Sequence, residues 1–256
     1  MKKFFSVMLA LILILSCSAC GKKIEERIGY TSEAKEEVYK NEYKDSNGNV
    51  SSKLEYHYPV ISGLSDDVSN TINKAFQDRI KQKDEELKKN ADNVTEYLEN
   101  FDIEGPQITI VEFEEYYVDE YVASFIIKER TATNPEDVAP TYKGISFSLS
   151  NGAQLSVSNL TLPGKEAETD TIIRERIVTE ANTSYSPNGS ALDEEKEELL
   201  KALYDEKNFV TDGYTLVFVY NYSTLSRGSK TGLYLCEVDV SDMGGYITCP
   251  VDYGQS

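Results

Sequence analysis

The amino-acid pattern predicts an α+β fold, mainly antiparallel sheet with helices packed on it, arranged as two lobes. Three observations carry this. Asn-Gly turns occur twice between alternating apolar runs, apolar residues recur at helical spacing between the hairpins, and regular strand–helix–strand alternation is missing. The first hairpin flanks Ser46-Asn47-Gly48-Asn49, with strands running from Val38 and from Val50. Asn-Gly supplies the positive φ that a tight turn needs, and Pro59 is expected to end the second strand. A helix follows, capped by Ser65 with Asp66 and Asp67 in its first turn. Its buried face is written as Val68, Ile72, Phe76 and Ile80. It is expected to run, with or without a break at residues 90–93, to Tyr97-Leu98.

Gly105-Pro106 punctuates, and residues 107–118 and 121–130 read as strands rich in Ile, Val, Phe and Tyr around an Asp119-Glu120 turn. Residues 131–142 hold two prolines and no apolar period, so they are expected to form a lobe boundary or functional loop. A second hairpin is expected from the alternation Ile145, Phe147, Leu149, with return residues Leu155 and Val157, across Ser150-Asn151-Gly152. Residues 169–181 and 193–204 read as helices around a Ser-Pro-Asn-Gly loop. Residues 208–222 and 233–240 read as strands, with a turn at Thr211-Asp212-Gly213.

The amino end has a different character. Lys2 and Lys3 precede an uncharged apolar run, and small residues with cysteine follow at Ser16-Cys17-Ser18-Ala19-Cys20. That is the order of parts in an export signal, and residues 4–19 are fewer than the ~20 needed to span hydrocarbon, which disfavours an uncleaved membrane helix. Ser18-Ala19-Cys20-Gly21 resembles a bacterial lipobox, which implies acylation of Cys20 and anchoring on the outer face of the cell membrane. Cys17 is the poorer match, because bulky Leu15 stands two residues before it. Cleavage before Cys20 would leave Cys236 and Cys249 as an even pair, expected to be a disulfide in an exported chain and otherwise two buried thiols. The predicted organisation is therefore a signal peptide 1–19, a polar tether 20–35, an N-terminal lobe 36–130 and a C-terminal lobe 131–256.

The whole chain carries a formal charge of −18, and loss of the signal leaves 24 basic against 44 acidic residues. Nucleic acid and anionic head groups are poor partners for such a surface. Catalytic and metal signatures are also missing. His57 is the single histidine, in a Tyr-His-Tyr strand that suits a sheet-facing structural role. No nucleophile elbow or phosphate loop occurs. Asp45-Ser46-Asn47-Gly48-Asn49 imitates a calcium loop, but Val50 stands where glycine is required and Tyr56 where a bidentate glutamate is required. No catalytic residue, cofactor or metal is therefore expected.

The stretch Tyr58-Pro59-Val60-Ile61-Ser62-Gly63-Leu64 with Ile72-Asn73, then 144–149 with Asn151-Gly152 and 155–160, then 209–218, resembles a pair of modules of unknown function in exported bacterial proteins. That pair occurs in the extracellular part of the lysozyme-responsive anti-sigma factor RsiV and in PdaC-type peptidoglycan deacetylases. The resemblance spans roughly residues 36–243 and implies a non-catalytic binding or sensing module, with a lysozyme-like basic protein or a cell-wall glycan as partner. Two segments depart from the pattern: 134–140 replaces a Gly-Gly-Ala-His segment, and 221–227 replaces Tyr-Glu-Ile-Ala-Pro-Tyr. Neither a sigma-binding segment nor a deacetylase domain is expected here. The candidate contact residues are Glu112, Glu114, Glu115, Tyr116, Tyr117, Asp119, Glu120 and Tyr121, an acidic hairpin tip rich in tyrosine. Tyrosine offers contact area at low entropic cost, and the acids would draw a basic partner. The same charges also suit a solvated edge hairpin that resists aggregation. An accessory envelope lipoprotein without soluble ligand and a cell-wall hydrolase are the competing functional readings.

Overall fold

The computed structural model describes residues 33–185, 194–221 and 232–253. The signal peptide, Cys17 and Cys20, nearly all of the tether, the Ser-Pro-Asn-Gly loop and residues 222–227 lie outside the described residues.

Strands β1 (Glu33–Lys44) and β2 (Val50–Ser62) form the first hairpin, closed at Gly48 with φ 89°. Asp45 Oδ1 accepts from the amides of Asn47 and Asn49 at 2.9 and 2.8 Å, so this carboxylate serves the turn. Both strands are longer than the sequence suggests. β1 begins within the expected tether, and β2 continues through Pro59, which pairs with Glu36. A proline is tolerated there because, beyond Tyr56, β1 is the strand paired with β2.

Helix α1 (Asp66–Lys89) is capped by Ser65 and buries Val68, Ile72, Phe76 and Ile80, as the spacing predicts. Asn90 breaks it, and α2 (Ala91–Asn100) follows. Asp84 on α1 ties down β1: its Oδ1 accepts from Tyr39 Oη at 2.7 Å, Asn41 Nδ2 at 2.8 Å and Tyr43 Oη at 2.7 Å. Strands β3 (Gln107–Val118) and β4 (Val122–Ala132) pair antiparallel, and β5 (Thr141–Ser148) pairs with β4. The sheet order is β1-β2-β3-β4-β5. One junction is parallel: Ser52–Tyr56 of β2 runs alongside Gln107–Val111 of β3, connected through α1 and α2. The expectation of hairpins without strand–helix–strand alternation is corrected at this junction, where the helix pair supplies the crossover that parallel strands require.

After β5 the expected return strand is absent. A single bridge joins Phe147 to Gln154, and residues 157–160 form the helical turn α3 (Val157–Leu160). A reciprocal cap decides this outcome. The Ser156 hydroxyl accepts from the Asn159 amide while Asn159 Oδ1 accepts from the Ser156 amide, a pairing that favours a helix start over extension. Helices α4 (Glu166–Tyr185) and α5 (Glu194–Ala202) lead to β6 (Phe209–Thr211), β7 (Thr215–Asn221) and β8 (Leu233–Asp239), an antiparallel sheet in that order.

Alternation within β7 explains the layering. Leu216, Phe218 and Tyr220 face a core shared with Ile173 and Ile177 of α4, whereas Val217 and Val219 meet Ile126 of β4 on the opposite side. On the far face of the large sheet, Phe125 and Phe147 pack with Phe76 of α1. The result is four layers: α1, the five-stranded sheet, the three-stranded sheet and α4. The boundary expected at residue 130 falls within β4. Ser32–Ser256 is one compact unit, because β5 completes the large sheet and the small sheet packs on its back.

The approach of the two sheets is close. A Cβ on Gly144 would stand 2.6 Å from the carbonyl carbon of Phe209. Ser124 and Ser146 provide hydroxyls to the backbone of β6, and Asn208 Oδ1 accepts from the Gly144 amide at 2.7 Å. Backbone groups that would otherwise be buried without partners are satisfied this way.

Candidate binding surface

The eight candidate residues on β3, β4 and their turn do not act as one group. Glu112 is engaged in cross-strand pairing, with Arg130 Nη1 at 2.9 Å and Lys128 Nζ at 3.6 Å from its Oε2. Asp119 organises the turn: its Oδ1 accepts from the amides of Tyr121 and Val122 at 2.7 and 2.8 Å, and its Oδ2 accepts from Tyr117 Oη at 3.3 Å. Tyr117 and Tyr121 are half-buried against the core under α4. Glu114, Glu115, Tyr116 and Glu120 remain on the surface. Tyr116 is the extra residue of a β-bulge, since Glu115 pairs with Phe125 and Tyr117 with Ser124.

A second turn completes the surface. Asp212 Oδ1 accepts from the amides of Tyr214 and Thr215, both at 2.9 Å, the same carboxylate device that Asp119 provides. Tyr214 is 62% exposed. The two turns share an electrostatic neighbourhood. Partial burial pushes the Tyr116 phenol up, and the charges of Glu237 and Asp212 add to it. Tyr117 is likewise raised by burial, then by Asp119 and Asp212. Tyr117 is hydrogen-bonded to Asp119, Tyr214 sits on the Asp212 turn, and Tyr116 feels the charges of Glu237 and Asp212. Asp212, Tyr214 and Glu237 lie far from the β3–β4 tip in sequence and are not among the residues expected there. The recurring Asp-x-Tyr of Asp119-Glu120-Tyr121 and Asp212-Gly213-Tyr214 was the available signal.

A cleft adjoins this surface where β2 and β3 part company. It has a volume of about 190 Å³ and is lined by Glu36, His57, Tyr58, Pro59, Phe113, Glu115 and the buried Phe125. His57 is held between two carboxylates, Nδ1 at 2.5 Å from Glu36 and Nε2 at 2.8 Å from Glu55. Burial opposes its charge, but hydrogen bonds to Glu36 and Glu55 outweigh it and raise its pKa. The residue fastens β1 to β2, the sheet-facing role expected of it.

The expected disulfide is not formed: Cys236 and Cys249 are both free thiols. Cys236 lies on β8 opposite Phe218, with its sulfur 3.8 Å from the Ile177 carbonyl. Cys249 donates to the Gly213 carbonyl at 2.9 Å, at the far end of β7. Gly213 is five residues from Phe218, on the order of 15 Å along an extended strand, whereas a disulfide needs Cα atoms within about 7 Å.

No family model matches the chain, and no curated protein matches it. Solved structures do. A DUF3298 family member from Bacteroides fragilis NCTC 9343 superposes with a TM-score of 0.55 at 12% identity, covering 88% of this chain and 99% of that one. A DUF3298 family protein from Pseudomonas aeruginosa PAO1 gives 0.53 at 8% identity, covering 86% and 96%. The fold is that of DUF3298 proteins. At these identities the likeness is one of architecture, and it spans nearly the full length of both neighbours.

Proposed function

We propose that this chain is a lipid-anchored, extracytoplasmic, non-catalytic binding or sensing module that captures a basic protein of the lysozyme kind. The observation that carries the reading is the pair of exposed tyrosines, Tyr116 and Tyr214, beside turns organised by the carboxylates of Asp119 and Asp212. Tyr116 and Tyr214 are exposed and give rigid contact area, and the two carboxylate-organised turns fix the nearby backbone, so little order is lost on binding. A net charge of −18 steers cationic proteins towards such a surface and away from anionic polymers. The order of parts at the amino end supports export and anchoring through Cys20.

Titration of the protein with lysozyme at low and at physiological salt tests the ligand class. Binding that weakens as salt rises is expected. Absence of binding at both salt levels removes this ligand. Mass spectrometry of the membrane-extracted protein tests the anchor, with diacylated Cys20 as the expected amino terminus.

A further inference from the structure

The large sheet forks, and the fork leaves one strand edge open. β2 and β3 are paired only as far as Tyr56 and Val111, although β2 continues to Ser62 and β3 to Val118. The cause lies on α1. Asn73 reaches β2 as a substitute strand: its Oδ1 accepts from the Ile61 amide at 2.8 Å and its Nδ2 donates to the Ile61 carbonyl at 2.9 Å. Pro59, two residues earlier, has no amide proton to offer a neighbour. The β2 side of the fork is thereby closed. Along Glu112–Val118, β3 pairs with β4 on one side, and among the described residues no strand pairs with it on the other. This edge is about 20 Å long, the length of an ordinary strand.

We propose that the open edge of β3 receives an extended, lysine- or arginine-bearing segment of the basic partner, which adds to the sheet as a strand within the fork. The idea rests on the binding reading above and specifies where and how the partner is held. Strand addition draws affinity from main-chain hydrogen bonds, and pockets for alternate side chains give selectivity. The fork supplies one such pocket. The cleft lining combines apolar surface from Tyr58, Pro59 and Phe113 with the carboxylate of Glu115, while the Glu36 carboxylate is paired with His57. A side chain with an apolar stem and a cationic head matches that lining. Charge also selects the occupant. Glu114 and Glu115 are exposed on the open strand, so a second copy of the same acidic edge is repelled while a basic strand is attracted. The register shift at Tyr116 interrupts regular pairing at the far end of the edge, next to the exposed Tyr116 side chain.

The test uses the full chain and a peptide of alternating lysine and valine as long as the open edge, compared with the same peptide N-methylated at every second residue. Methylation keeps the charge and removes the strand donors. The expected result is binding of the parent peptide, loss of at least about tenfold in affinity on methylation, and slowed amide exchange confined to Glu112–Val118. Glu114→Lys/Glu115→Lys, both at exposed positions, is expected to abolish that binding while leaving the unfolding transition unchanged. Equal affinity for the two peptides overturns strand addition and leaves the basic-partner reading intact. Absence of peptide binding alongside retained lysozyme binding overturns it as well. Concentration-dependent self-association that protects the same amides and is not displaced by peptide assigns the edge to a second copy and also overturns the proposal.

Discussion

The hydroxyls of Ser124 on β4 and Ser146 on β5 lie 2.9 Å apart, side by side beneath the backbone of β6. Ser124 Oγ donates to the Thr211 carbonyl at 2.8 Å and accepts from the Thr211 amide at 3.1 Å, and Ser146 Oγ donates to the Phe209 carbonyl at 3.1 Å. Both serines are fully buried. They let one sheet lie on the other without stranding the polar edge of β6. Replacing either with alanine leaves a buried carbonyl without its donor, at a cost of about 1–3 kcal/mol. Denaturant unfolding should show the larger loss for Ser124→Ala, because Ser124 serves both groups of Thr211.

Gly144→Ala should be more severe than its size suggests. The added methyl would meet backbone atoms of Phe209 at 2.6–2.9 Å, and backbone cannot rotate aside as a side chain can. The sheets must separate locally, with an expected loss of about 1–3 kcal/mol. Thermal unfolding of the variant measures it.

His57 gives stability a pH dependence of defined sign. Its pKa in the folded chain is raised above the unfolded value by the carboxylates of Glu36 and Glu55. Its contribution is therefore fully present below the unfolded pKa, about 6.5, and is lost as pH rises through the raised folded value. Unfolding free energy measured from pH 6 upward should fall over that window in the native protein, and His57→Gln should flatten this component.

Tyr116→Ala and Tyr214→Ala should each weaken lysozyme binding by about tenfold, equivalent to roughly 1.4 kcal/mol. Their exposure, 37% and 62%, makes a large change in stability unexpected. Leu162, 38% exposed, provides the control, since Leu162→Ala should leave binding unchanged. Calorimetric titration alongside thermal melting separates the two effects.

Local chemistry was legible in the sequence wherever a single segment decided the outcome. The Asn47-Gly48 hairpin, the Ser65 cap with its Val68, Ile72, Phe76, Ile80 face, and the pairing of β3 with β4 all follow from patterns of a few residues. Relationships between distant segments were not legible. Ser124, Gly144, Ser146 and Asn208 are unremarkable as letters, and their meaning appears only when β6 crosses over β4 and β5. How the two sheets pack on one another was illegible for this reason, and so was the fork, because Asn73 looks like any polar residue on a helix. In the binding surface, the tip of β3 and β4 was visible as a cluster, whereas Asp212, Tyr214 and Glu237 joined it only through tertiary packing.

The thiols carry a practical consequence for how this chain reaches its working form. Cys236 is sealed in the core, where burial pushes its thiol up to about 12, and burial also raises Cys249. Thiolate is the species that attacks disulfides, so both sulfurs are poor participants in exchange. With both thiols free and held protonated, refolding yield should be the same in reducing and in oxidising buffer.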